Sequence, residues 1–206
     1  MAMIGTIEQT HISDAIAEVE RHTDAELVTV LAAASDDYRY IPLLWAALVA
    51  MIVPSALYLT PLSVAWMITA QLAVFLVLAV VLQTDTLRAR LIPGNVRALR
   101  AANMARRQFL EQDLHHTDGD TGVLIFVSEA EHYVEILVDR GISAKVDNDR
   151  WSSIIEGFVA DVREDRVEQG FLTALERCGE ILAEAVPKTP DNHNELDNRL
   201  ILVGYD

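Results

Sequence analysis

The chain is poor in several residue types, and each shortage excludes a class of protein. One cysteine in 206 residues rules out a disulfide framework and any multi-cysteine zinc site. Nine glycines and six prolines exclude collagen-like and proline-rich disordered chains. Sixteen basic residues stand against 31 acidic ones, a formal charge of −15, whereas a nucleic-acid binder needs a basic face to neutralise phosphates. From Pro42 to Gln83 there is no charge of either sign. What is abundant is apolar character: 51% of residues are hydrophobic and the mean hydropathy is +0.22, more than one soluble core requires.

The uncharged run explains the excess. As one helix it would reach about 63 Å, twice the ~30 Å hydrocarbon thickness of a bilayer, so it folds back as two spans, 42–59 and 62–82, with Thr60-Pro61 at the turn. Tyr38, Tyr40 and Trp45 mark one interface, and Tyr58 and Trp66 the other. Pro54 lies within the first span and removes one backbone bond there. Gln71 is the polar residue expected to face a helix rather than lipid. Residues 84–94 form a basic interfacial linker, and Arg88, Arg90, Arg97 and Arg100 follow the second span closely. Such arginines stay in the cytoplasm, which puts both termini there. They are also the residues expected to meet lipid headgroups. The opening MAMIGTIEQTH has neither the basic nor the apolar region of a cleavable signal peptide.

The remainder, 1–40 and 95–206, reads as one discontinuous domain, because forty residues cannot bury a core alone. A helix begins near Thr6 or Thr10, with Ile12, Ala15, Ile16 and Val19 inside and Glu8, Asp14, Glu18 and Glu20 on the wet face. Residues 26–35 read as a strand covered on both faces. A helix is expected over 95–114. GVLIFVS, 122–128, reads as a central strand, and HYVEILV, 132–138, as its antiparallel partner. A helix capped by Asp147 or Asp149 carries Trp151, Ile154, Ile155, Phe158, Val159 and Val162 at helical spacing. Val167–Ala185 forms the last helix, with Cys178 in its buried stripe, and Leu200–Val203 an edge strand. The fold class is therefore α/β, an αβα sandwich around a mixed sheet, interrupted by a two-helix transmembrane hairpin.

Candidate chemistry is sparse. LHHTDGDTG, 114–122, collects His115, His116, Asp118 and Asp120, although it lacks a calcium-loop pattern and adjacent histidines rarely share a metal. Its other reading is a helix end followed by a turn. Asp139-Arg140-Gly141 follows a strand: Asp139 could ligate a cation or act as an acid and Arg140 could hold an anion, or the three form a charged turn in which glycine supplies positive φ. Trp151 is either core or a stacking platform. No G-x-S-x-G, P-loop, H-E-x-x-H or G-x-G-x-x-G occurs.

The string TGVLIFVSEAEHYVEILVDRGISAKV, 121–146, followed by Trp151, the helix around Gly170 and Asn194-Glu195-Leu196, resembles the TPM domain family. It is similar to the bacterial membrane-protein branch in which a hydrophobic hairpin interrupts that domain. The resemblance implies a sheet between helices, a place in the bacterial inner membrane, and Asp139, Arg140, Gly141, Trp151, Asn194 and Glu195 as binding residues. Some members of the family are acid phosphatases that hold divalent cations through acidic residues; others are accessory or assembly proteins of membrane complexes. Here IGTIEQTHISD replaces the usual opening V-x-D-x-A-G, which weighs against the phosphatase. The expectation is a membrane-anchored, non-enzymatic interaction module whose partners are the lipid bilayer and another membrane protein, with a homo-oligomer open. The alternative is a divalent-metal-assisted phosphatase acting on phosphate monoesters. Its catalytic residue is Asp139, and its cation ligands are drawn from Asp139, Asp147, Asp149, Asp118 and Asp120.

Overall fold

The computed structural model describes residues 5–84, 87, 90–164, 166–190 and 193–205. It divides into two compact units, Met1–Ser35 with Ala98–Asp206, and Asp36–Arg97. The first is an α/β unit with a mixed four-stranded sheet in the order β3-β2-β1-β4. Strand β1, Glu26–Ala32, pairs in parallel with β2, Gly122–Ser128, and with β4, Leu200–Val203. β2 pairs antiparallel with β3, Tyr133–Val138, in the hairpin expected of this sequence.

Period-two alternation sorts the side chains into two layers. Leu27, Leu31, Val123, Ile125 and Val127 point into the larger cluster, where three helices cover the sheet. These are α1 (Thr6–Glu20), α6 (Asn148–Arg163) and α7 (Val167–Ala185). Val28, Val30, Leu124 and Phe126 face the other way, against Ala101 and Ala105 of α4, Gly94–Glu111. Both inner strands are buried along their whole length, as continuous apolar runs should be. Gly170 lets α7 close on α6: a Cβ there would stand 2.4 Å from the Phe158 ring.

Several boundaries differ from the sequence reading. α1 starts at Thr6 after Gly5, whose N–H bonds the Glu8 carboxylate, so Thr6 is helical rather than a cap. β1 ends at Ala32, three residues early. α4 stops at Glu111 because Asp113 takes a left-handed φ of 56°, and a short 3-10 turn, Leu114–His116, follows. β3 begins at Tyr133, since His132 has φ 51°. Glu20, assigned to the wet face, is only 7% exposed.

The second unit holds α2, Tyr40–Leu57, and α3, Val64–Val81, which pack together. Both are long and apolar enough to cross a membrane. α3 has no buried residue, and α2 buries Ala46 and Ala50, one turn apart. Pro54 is accommodated inside α2. The turn between the helices includes Thr60, whose N–H bonds the Leu57 carbonyl at 2.9 Å.

Candidate functional site

The N-terminal ends of the parallel strands and the C-terminal end of β3 lie at one end of the sheet, and half of the sequence-predicted site residues are there. Asp139 caps α5, Arg140–Ser143, its Oδ1 accepting the Arg140 N–H at 2.7 Å. The Arg140 guanidinium reaches back to Asp120 at 3.2 Å, with its side chain 84% exposed. At that exposure the ion pair contributes about 0.5 kcal/mol or less. Gly141 is helical, not in a positive-φ turn, and its requirement is steric. A Cβ would stand 2.2 Å from the Gly119 carbonyl oxygen, and its own N–H bonds the Asp120 carbonyl at 2.9 Å. The positive φ belongs to Gly119 and Asp120 in the facing turn, at 79° and 57°.

Glu195 and Asn194 arrive from the segment before β4. Glu195 accepts the Asp118 N–H at 3.1 Å and donates its own N–H to Glu26 at 3.2 Å, while Asn194 donates to Asn198. Glu26 also accepts from the Leu196 N–H at 3.2 Å. These carboxylates therefore tie loops together by binding backbone donors, Glu195 at the surface and Glu26 in the interior. Asp147 and Asp149 open α6 elsewhere. Asp118, Asp120, Asp139, Asp147 and Asp149 form no group of three converging ligands among the described residues. Trp151 is core, 5% exposed, with no hydrogen-bond partner for its indole nitrogen among the described residues. Cys178 is wholly buried, and burial pushes its thiol up to about 12. Arg90 and Arg100 are exposed, Arg97 is half-buried, and Arg88 lies outside the described residues.

The sequence reading missed two buried acids whose carboxyls are raised. Glu20 and Glu26 line a cavity of about 260 Å³ together with Lys188, Asn194 and Asn198. Glu20 Oε1 accepts the Leu27 N–H at 2.9 Å, and its Oε2 has no partner within bonding distance among the described residues. Burial first, and the neighbouring Glu26 charge after it, raise its carboxyl to about 7 against the donation from Leu27. Burial raises Glu26 as well. A glutamate opening an otherwise apolar strand was the available signal. Across the sheet, Tyr133 donates to Glu135 at 3.0 Å, and burial raises both groups, the phenol to about 12.

A second feature of the α/β unit is a groove of about 440 Å³ between α1 and α7. Its floor is Ala15, Val19, Leu172, Gly179 and Ala183. Gly179 keeps it low, since a Cβ there would meet Val19 at 2.9 Å. The rim carries Glu18, Glu176 and Glu180, all exposed, and His22. Arg21 pairs with Glu18 at 2.5 Å.

Comparison with known proteins agrees with this architecture. The NMR structure of the BA42 protein from the psychrophilic bacterium Bizionia argentinensis aligns with a TM-score of 0.63 at 18% sequence identity, covering 98% of this chain and 96% of that one. At that identity the likeness is one of fold. No curated protein sequence matches the chain. The TPM domain matches residues 78–181, half of the length, a stretch that includes the central strand pair, the Asp139 cap and most of α7. The chain belongs to the TPM domain family.

Proposed function

We propose that this TPM domain protein is held in a bilayer by α2 and α3 and acts as a docking module for another membrane protein, binding a basic amphipathic helix of that partner. The groove between α1 and α7 carries the reading. Its floor is apolar, with Ala15, Gly179 and Ala183 admitting close approach of a helix, and three of its rim side chains are acidic. A partner helix with one apolar row flanked by lysine or arginine matches both features. The same rim repels a second copy of itself and an anionic lipid surface. The carboxylates at this end of the sheet favour this reading over hydrolysis, because they are engaged by the backbone N–H groups of Leu27, Arg140, Asp118, Glu195 and Leu196. For the anchor, the support is that Leu72, Leu76 and Val80 of α3 and Met51 and Ile52 of α2 lie exposed, a surface that lipid would cover.

The test uses the full-length protein in nanodiscs and a synthetic leucine-lysine helix bearing a photoreactive benzoylphenylalanine in its apolar row. Cross-links should map to the α1 and α7 segments around Val19 and Leu172. They should fall about tenfold in the double variant Glu176→Lys/Glu180→Lys, whose exposed positions leave the fold intact. Equal labelling of the variant, or equal labelling by a leucine-glutamate helix, refutes the groove as a docking site. Phosphate-monoester hydrolysis with divalent cations is measured alongside. Turnover that vanishes in Asp139→Ala would replace the docking reading with the phosphatase.

A further inference from the structure

The cluster that remains unused lies at the end of α4. We infer that Asp113, His115 and His116 form a site for a zinc-class divalent cation. Their ligand atoms lie within 4.8 Å of one another, and this is the group of three such side chains that converges among the described residues. The backbone accounts for the convergence. The His116 N–H bonds the Asp113 carbonyl at 2.9 Å across the 3-10 turn, which brings the two residues together. His116 Nδ1 stands 3.7 Å from Asp113 Oδ1. The left-handed Asp113, φ 56°, is what turns the chain so sharply after α4. The two imidazoles lie with ring centroids 3.8 Å apart, so the adjacent histidines, which on a strand would diverge, point to one region.

The chemistry selects the ion. Two imidazoles and one carboxylate suit a borderline cation and not calcium or magnesium, which take oxygen ligands. Three protein ligands leave a tetrahedral ion one position for water. Nitrogen and oxygen ligands at about 2.0–2.1 Å from zinc require ligand atoms roughly 3.3 Å apart. The Asp113 and His116 side chains, each 72% exposed, have room to close the remaining distance by rotamer changes. His115 is half-buried, and its buried Nδ1 makes no hydrogen bond among the described residues, so no bond to that atom competes with ligation. None of the three ligands lines the α1–α7 groove, and the site does not depend on the docking reading.

The experiment takes full-length protein in detergent, purified on a tag without histidine and stripped of metal by chelator. Zinc is titrated calorimetrically, and cobalt is titrated optically because tetrahedral cobalt has intense visible bands. One zinc per chain should bind with a Kd of about micromolar order, cobalt should develop tetrahedral bands, and excess magnesium or calcium should displace neither. His115→Ala and His116→Ala should each weaken zinc at least ~10-fold and abolish the cobalt bands, whereas Asp14→Asn, exposed on α1, should change nothing. Unchanged affinity in both histidine variants would overturn the site, as would octahedral cobalt in the unaltered protein. Circular dichroism of each variant confirms that a loss is not unfolding.

Discussion

Glu20→Gln offers a direct probe of the buried acid pair. The folded chain raises the Glu20 carboxyl from its ordinary 4.5 to about 7, chiefly through burial. A raised acid binds more protons folded than unfolded, so its stabilising share is complete below about pH 4.5 and is lost as pH rises through about 7. Integrating between those values, ionisation of Glu20 costs about 0.8 kcal/mol at pH 5 and about 3.3 kcal/mol at pH 8, a difference of about 2.5 kcal/mol. Glutamine keeps the acceptor for the Leu27 N–H and never ionises. Its amide N–H groups do need acceptors, and Asn198, which interacts with the Glu20 carboxylate, meets them imperfectly, a cost of about 1–2 kcal/mol at every pH. The variant should therefore be the less stable protein near pH 5 and the more stable one near pH 8. Urea unfolding followed by circular dichroism at the two pH values measures this. The stability difference between variant and parent should shift by about 2.5 kcal/mol in the variant's favour as pH rises. A shift below ~0.5 kcal/mol would mean that Glu20 titrates normally and that water reaches it, which refutes the burial argument.

Two further outcomes follow from packing. Gly141→Ala places a methyl 2.2 Å from one carbonyl oxygen and 2.7 Å from a second, both backbone, so the Asp139 cap must shift, at a cost of about 3 kcal/mol measurable as a lowered urea midpoint. Glu131→Ala should cost about 2 kcal/mol, because the carboxylate accepts from Ser128 Oγ and from the Ser35 N–H at 3.1 Å in a buried corner. Faster amide exchange at Ser35 than in the parent would identify that bond as the one lost.

The elements carried by long periodic or wholly apolar runs were legible in the sequence. GVLIFVS is the inner strand its composition describes, and the last helix runs from Val167 to Ala185 as the stripe and the following prolines indicate. The site was less legible, for reasons of contact between segments far apart in the chain. Glu20 sits at helical spacing on a polar face, and only the return of β1 beneath it, through the Leu27 N–H, makes it interior. Gly141 looks like a turn glycine until the Gly119–Asp120 backbone is placed above it. Asp118 and Asp120, two residues apart, suggested a shared ligand. Instead Asp118 binds Glu195 through its backbone and Asp120 binds Arg140 through its side chain, while Asp113, which attracted no notice, turns toward the histidines. A left-handed aspartate has no periodic signature.

The order of the strands has a consequence for biosynthesis. β1 is made first, yet the neighbours that complete it come much later: Thr29 pairs with Ile125 on one side and with Leu200 on the other. At about 5–20 residues per second, the ribosome needs roughly 5–20 s to deliver the first neighbour and nearly as long again for the second. Throughout that interval a seven-residue strand destined to be fully buried is exposed in the nascent chain, while both apolar helices emerge behind it. Until translation is almost finished, α1 is the element of this unit already made that could cover β1. Truncations before Leu200 should leave β1 with an open edge and a tendency to aggregate.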